Sequence, residues 1–350
     1  QVADVLKTKL LALGMEVSED NTCDIIGGNC GNLIAYCEGT MKGVTALMLS
    51  AHMDCVEPCG GVEPQLKDGI ITSVGNTILG GDDKAGIAAI LEGLRTVHEQ
   101  KIPHGPIQVI FTVAEEGGLE GAKNIEKALL KADIGYALDS GGAPGEIIIM
   151  APGQNNITAV VHGKAAHAGV APEEGINAIA VAGIALAEMR YGRIDFETTA
   201  NIGIINGGTA TNIVPERVEI QCEARSRNMI KLEVQTAHMQ ETFERVAAAN
   251  KARAEVKVKK AYDPYVLSED APVVALAIAA ARSIDLIPKV TSTGGGSDAN
   301  FFNNHGVPTA VLGVGMSKVH TIDEYIKETD LYNSGELVVA LIKTAATMKK

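Results

Sequence analysis

The chain contains no tryptophan, and aromatic residues fill only 3% of its 350 positions. Stacking platforms of the kind that hold single-stranded nucleic acid are therefore not expected. Positive charge is in deficit as well, with 30 Lys and Arg against 43 Asp and Glu and a net charge of −13 at pH 7. That sign repels phosphate backbones and anionic bilayers, so neither nucleic acid nor membrane is expected as a partner. No apolar run approaches the roughly 20 residues of a spanning helix, and no secretory signal is visible. The six cysteines, Cys23, Cys30, Cys37, Cys55, Cys59 and Cys222, are too sparse for a disulfide framework. They read as free thiols of a reducing cytoplasm, the expected location. Cys55 and Cys59 are close in sequence, but no second close pair completes a thiolate zinc site. Residues 1–13 already read as an amphipathic helix, so the natural chain is expected to start upstream of Gln1.

Nearly half of the residues are apolar (46%), and the length suffices for two domains. Apolar runs alternate with helix-like segments through the first part. Strands are expected at 45–51, 107–114 and 134–138, and helices at 83–100 and 119–131. This order implies an α/β fold with a mixed, mostly parallel sheet and helices on both faces. The middle changes character, with strands at 156–162, 200–205, 217–225 and 254–260 and helices at 175–190 and 231–249. Strand, helix, strand, strand, helix, strand is the ferredoxin-like split motif. An inserted α+β domain is therefore expected over 154–262, dividing the first domain into 1–153 and 263–350. The α/β pattern resumes with a helix at 272–284, a strand at 309–314 and a closing helix at 330–348.

The chemistry gathers at the ends of these elements. Glu115 and Glu116 follow the apolar run 107–114 and precede Gly117-Gly118. Adjacent carboxylates at the end of a buried strand need cations or hydrogen-bond donors. His52 and Asp54 follow the strand at 45–51 and share one side of it if the strand continues. Asp82 and Asp83 open the helix near residue 84, Asp139 closes the short strand at 134–138, and His320 follows the strand at 309–314 by a loop. In open α/β sheets, the carboxyl ends of the strands form the ligand-binding edge. Taken singly, each acid reads as a cap or a surface group, and Asp82 and Asp83 could simply cap their helix. Taken together, they supply two divalent ions: one shared carboxylate, plus one His and one acid for each metal. His52, Asp82, Glu116, Asp139 and His320 make that set. Mixed imidazole and carboxylate donors suit zinc best, with cobalt or manganese as alternatives. Glu115 is left free to take a proton from a water, and Asp54 is placed to orient the His52 imidazole. The remaining histidines, among them His98, His104, His162, His238 and His305, lack such surroundings and read as structural.

These motifs resemble the di-zinc metallopeptidases that include tripeptidase T, carboxypeptidase G, aminoacylase and succinyl-diaminopimelate desuccinylase. The matching segments are Ser50-Ala51-His52-Met53-Asp54, Gly80-Gly81-Asp82-Asp83-Lys84-Ala85-Gly86, Ala114-Glu115-Glu116-Gly117 and Leu138-Asp139-Ser140, together with Gly163 to Gly169 and Pro172 to Ile179. The Asp-Asp-Lys-Ala-Gly form is most similar to the tripeptidase T branch. The resemblance implies one metal on His52, Asp82 and Asp139 and a second on Asp82, Glu116 and His320, with Asp82 bridging. It implies Glu115 as general base and acid, and the inserted domain as a lid that dimerises in many members. It further implies that His167 stabilises the oxyanion in a partner's site, that Asn212 and Arg225 contact substrate, and that the loop containing Gly296 and Ser297 binds a substrate end through its amides. From the residues alone, His167 reads equally as part of a structural turn and Arg225 as a surface ion pair.

The expected activity is aminopeptidase cleavage of short peptides. The same metal site serves an N-acyl amino acid deacylase or a carboxypeptidase, and a non-catalytic peptide-binding relative is the remaining alternative. Gly294 to Gly296 lacks the Lys-Ser/Thr ending of a nucleotide-binding loop, so ATP and GTP are poor readings.

Overall fold

The computed structural model describes residues 1–349. They form two compact units. One comprises Gln1–Met150, Val266–Thr293 and the chain from Ser297 onward; the other comprises Ala151–Tyr265 with Gly294–Gly296.

The first unit is built on a mixed sheet. Its order is Glu16–Glu19, Leu33–Cys37, Ile107–Thr112, Leu47–His52, Ile134–Ser140, Thr309–Gly313, Glu146–Ala151 and Tyr265–Val266, with Lys289–Ser292 also paired to Glu146–Ala151. The four central strands, from Ile107–Thr112 to Thr309–Gly313, pair in parallel. The strands beyond them on the main path pair antiparallel where the register is defined. Every residue of Leu47–His52 and Ile107–Thr112 is buried. Such strands read as continuous apolar runs because both of their faces are covered. Met48 and Ile110 pack into a cluster with Ala122, Ile125, Phe302 and Val307. Leu47 and Leu49, of opposite parity, are no more exposed. The helix Gly81–Glu99 packs on Leu47–His52 and Ile134–Ser140, and the closing helix Glu328–Ala345 packs on that helix in turn. A smaller antiparallel sheet runs Met316–Ser317, Tyr325–Lys327, Ile70–Ser73, Pro64–Lys67.

The second unit follows strand Gly153–His162, helix Ala178–Glu188, strands Thr198–Gly207 and Arg217–Ser226, helix Met229–Ala249 and strand Arg253–Tyr262. Its antiparallel sheet is ordered Gly192–Arg193, Thr198–Gly207, Arg217–Ser226, Gly153–His162, Arg253–Tyr262. Burial alternates along the strands, and Ile157, Ala159, Val218 and Ile220 face Val181, Ala185, Leu232 and Phe243 of the helices. Asn177 and Asn228 cap the two helices by accepting from the N–H groups of Ala180 and Lys231.

The expected helix at 119–131 is not formed. A short helix, Glu120–Asn124, stops at Ile125, whose backbone is extended, and a single 3₁₀ turn follows at Lys127–Leu129. The reason is packing: extended backbone lets Ile125 fill the cluster around Met48 and Phe302, which outweighs helix propensity. The strand at 107–114 ends at Thr112, so Glu115 and Glu116 lie in the turn beyond it. Conversely Asp139 sits inside its strand, which runs to Ser140. The second unit extends a few residues outside the expected 154–262.

At Gly93 the helix Gly81–Glu99 closely approaches Glu328–Ala345, because a Cβ there would lie 2.4 Å from Val338 Cγ1. Gly93→Ala is expected to destabilise the protein by about 1–3 kcal/mol through overpacking, read as a lower midpoint in denaturant unfolding. An unchanged midpoint would show that the two helices can separate freely.

Candidate metal centre

Parallel pairing brings the carboxyl ends of the central strands to one edge. His52 lies opposite Thr112, and Gly313 opposite Ser140. His52 closes its strand and is 2% exposed. Its Nδ1 lies 3.2 Å from the main-chain oxygen of Asp54 and 3.5 Å from Asp54 Oδ1. A proton on Nδ1 satisfies that carbonyl and leaves the Nε2 lone pair aimed outward, the orientation that metal-ligating imidazoles adopt. Nε2 stands 3.0 Å from Asp82 Oδ1 and 3.9 Å from Asp139 Oδ1.

Asp82 joins the two halves of the cluster. While Oδ1 faces His52, Oδ2 lies 3.3 Å from His320 Nε2. His320 Nε2 is in turn 3.0 Å from Glu116 Oε1. That contact does not have hydrogen-bond geometry, and Glu116 Oε1 is buried without a hydrogen-bond partner. His52, Asp82 and Glu116 offer ligand atoms within 4.8 Å of one another, as do His52, Asp83 and Asp139. An orphaned carboxylate oxygen among converging carboxylates and imidazoles fits a cation. Imidazole nitrogen and carboxylate oxygen in this ratio fit zinc and its neighbours in the transition series.

Three residues in this region were not anticipated. Asp83, read from sequence as a possible helix cap, is fully buried: Oδ2 accepts from the His52 N–H at 3.1 Å and Oδ1 from the Gly86 N–H at 3.2 Å. With both oxygens engaged by backbone, it anchors the ends of the strand and the helix. Lys84 donates to the Asp54 carbonyl at 3.1 Å and to Cys55 Sγ at 3.0 Å. Asp298 accepts from Thr112 Oγ1 at 2.5 Å through one oxygen while the other is buried without a partner. Asp83 and Lys84 stand in the motif at 80–86 and Asp298 follows Ser297, but their sequence context gave none of these partners.

Asp54 does more than face His52. Its two carboxylate oxygens accept from the N–H groups of Glu115 and Glu116, each at 3.1 Å. The turn that presents both glutamates is therefore fixed by a residue of the neighbouring strand end.

The electrostatics show too much negative charge for the cations present. Burial, then the charges of Asp139 and Asp298, pushes the Glu115 carboxyl up to about 10. Burial also raises Asp139 well above the carboxylate range and raises Glu116. Asp82 goes the other way: burial opposes it, but the hydrogen bond and charge of His52 and the charge of His320 hold it below the usual value. His52 is raised well above the imidazole range because the hydrogen bonds to Asp54 and Asp82 outweigh its burial.

The residues expected to contact substrate fall on several segments. His167 and Asn212 are exposed and lie on adjoining segments, with Ala168 N–H donating to Asn212 O at 2.9 Å and His167 bridged to Ile213. His167 Nδ1 accepts from Gly169 N–H at 3.2 Å. Arg225 forms a forked pair with Glu223, both contacts at 2.9 Å. Gly296 lies against the Tyr262 ring, where a Cβ would sit 2.4 Å from Cζ. Ser297, in the first unit, donates its N–H to Asn300 Oδ1 at 3.1 Å and keeps a buried Oγ without a partner.

A parallel sheet ending in two imidazoles and a shared carboxylate defines a metal-dependent hydrolase. Residues 48–344 match the model of peptidase family M20/M25/M40, and the chain belongs to that family. Over 346 residues it is 45% identical to the "Uncharacterized protein YqjE" of Bacillus subtilis (strain 168), covering 99% of this chain and 93% of that one. Among solved structures it is similar to the aminopeptidase PepT from Bacillus cereus ATCC 10987, at 47% identity and TM-score 0.92, covering 99% of this chain and 92% of that one. It is also similar to a tripeptidase from Staphylococcus aureus subsp. aureus mu50, at 42% identity and TM-score 0.95, covering 98% and 92% of the two chains. The resemblance read from the sequence motifs holds at the level of the family.

A chelator is expected to lower the thermal unfolding midpoint and added zinc to restore it, because an ion that binds only the folded state stabilises it by mass action. Scanning fluorimetry of the stripped and reloaded protein checks this. A midpoint indifferent to both treatments would rule out a structural load on the centre.

Proposed function

We propose that this chain is a two-zinc aminopeptidase that cleaves short peptides, tripeptides foremost. The observation that carries the reading is Asp82, whose two oxygens face two different imidazoles at 3.0 and 3.3 Å. A bridging carboxylate needs that arrangement. In this reading His52, Asp82 and Asp139 would hold one ion and Asp82, Glu116 and His320 the other, with Co²⁺ or Mn²⁺ as substitutes for Zn²⁺. The names of the PepT and tripeptidase relatives support a peptide substrate.

When bound, the two ions would supply Lewis acidity, polarising the scissile carbonyl and lowering the pKa of a water so that it can be deprotonated for attack. The chain supplies the proton transfers. Glu115 takes the proton of the attacking water and returns it to the leaving nitrogen. Asp54 holds Glu115 for this task through the main-chain amide, which leaves the carboxyl free to move a proton. His52 is kept in one tautomer by the Asp54 carbonyl. His167, Asn212, Arg225, Gly296 and Ser297 are proposed to contact substrate. His167, exposed and carrying a ring nitrogen beyond its bond to Gly169, serves as the oxyanion donor.

A second copy of the chain is the proposed partner. The helix Ala178–Glu188 carries no charge before Glu188, and its exposed face presents Ile179, Ala180, Gly183, Ile184 and Ala187. Ile204 and Ile205 of the strand Thr198–Gly207 are also about half exposed. The six free thiols support a cytoplasmic location, and among the described residues no helix is long and apolar enough to cross a membrane.

Glu115→Gln is expected to retain both metals by elemental analysis and to lose about 10³-fold or more in kcat on tripeptides. A variant with near-native turnover would sink the proton role. Tripeptides should be cleaved and their N-acetylated forms should not. Cleavage of N-acyl amino acids or N-blocked peptides instead would mark a deacylase or a carboxypeptidase. Ile184→Glu should convert dimers to monomers in light scattering, and dimers that persist would place the contact elsewhere.

A further inference from the structure

Glu324 is a buried acid, 1% exposed, in the loop between His320 and the strand Tyr325–Lys327. Both of its oxygens are engaged. Oε2 accepts from the Gly80 N–H at 2.8 Å and Oε1 from the Asp82 N–H at 2.9 Å. The carboxylate therefore grips the backbone on both sides of Gly81, and a Cβ on Gly81 would stand 3.1 Å from Glu324 Oε1. Gly80 adopts φ +70°, which turns its N–H and that of Asp82 toward the same acceptor. Glu324 is itself held. Its N–H donates to Thr321 O at 3.1 Å, and the next residue, Tyr325, pairs with Thr72 in the small sheet.

We infer that Glu324 is a positioning residue for the shared carboxylate. It fixes the main chain of Asp82 and also belongs to the loop that presents His320. One side chain thus sets the distance between the Asp82 carboxylate and the second imidazole. The inference rests on the reading of Asp82 as a bridging ligand. A loop closure with no bearing on the metals would need only one amide anywhere along the turn. Here the two amides flank the single residue before the shared carboxylate. Outer partners that orient metal ligands typically change metal affinity by about 10–100-fold when removed.

The test is equilibrium binding of zinc, by competition with a chromophoric chelator, and the visible spectrum of the cobalt(II)-loaded protein. Wild type, Glu324→Gln, Glu324→Asp and the exposed neighbour Asp323→Ala are compared. Glu324→Gln keeps the volume but can accept from only one amide. It is expected to lose about 10–100-fold in affinity for at least one ion and to show an altered cobalt spectrum. Glu324→Asp, which keeps the carboxylate but withdraws it, should fall between Glu324→Gln and wild type, and Asp323→Ala should match wild type. Wild-type affinity and spectrum in both Glu324 variants would overturn the inference whatever their melting temperatures. A wild-type protein that binds no second ion would instead overturn the underlying reading of Asp82.

Discussion

Like charges crowded at one edge of a sheet must find cations or give up their charge, and the first unit is organised around that constraint. Asp54, Asp82, Asp83, Glu115, Glu116, Asp139 and Asp298 meet two imidazoles, His52 and His320. Two unit charges about 4 Å apart repel by about 4 kcal/mol at an effective dielectric of ~20. The fold handles this in three ways. Some carboxylates are spent on backbone N–H groups, as Asp54 and Asp83 are. One, Asp82, is placed between both imidazoles. The rest, Glu115 and Asp139 foremost, are raised in proton affinity.

This division separates holding from reacting. Asp54 and Asp83 each accept backbone N–H groups on both oxygens and so fix the main chain around their neighbours. Glu115 and Glu116 are adjacent in sequence and are held by the same carboxylate. Their side chains nevertheless meet different surroundings. Glu116 approaches His320, while Glu115 sits among Asp139 and Asp298 and titrates far above an ordinary glutamate. Two identical residues thereby acquire different chemistry from their neighbours alone.

Much of this was legible in the sequence because it depends on residue type at element ends. Acids and histidines after apolar runs stand out, since burial should exclude them. The parallel core was equally visible as mostly apolar runs at 45–51 and 107–114, within which the strands Leu47–His52 and Ile107–Thr112 largely fall. What was hidden depends on backbone partners. Glu324 follows Asp323 in a polar loop, and nothing in its local sequence distinguishes it from a solvated acid. Its role arises from N–H groups more than 240 positions away. Asp83 was visible as a helix cap, and its Oδ1 does accept from the Gly86 N–H; its second bond, from the His52 N–H 31 positions away, was not visible. The strand Glu146–Ala151 was not assigned, since a short apolar run without alternation carries no period.

The insertion of the second unit has a consequence for how the molecule is assembled. The strands at its entry and exit are neighbours in the first unit's sheet, and Leu267 N–H donates to Ile149 O at 2.8 Å. The excursion between them therefore closes on itself. Once the intervening residues have folded, the chain resumes about where it left. The entropy of bringing Thr309–Gly313 back beside Ile134–Ser140 is then that of a short loop rather than of the whole intervening length. His320 and Glu324 emerge only after this return, so on a growing chain the centre is completed last. Until then the carboxylates of the first segment lack their second imidazole, so the cluster is a late product of the chain's order and not of its first folded segment.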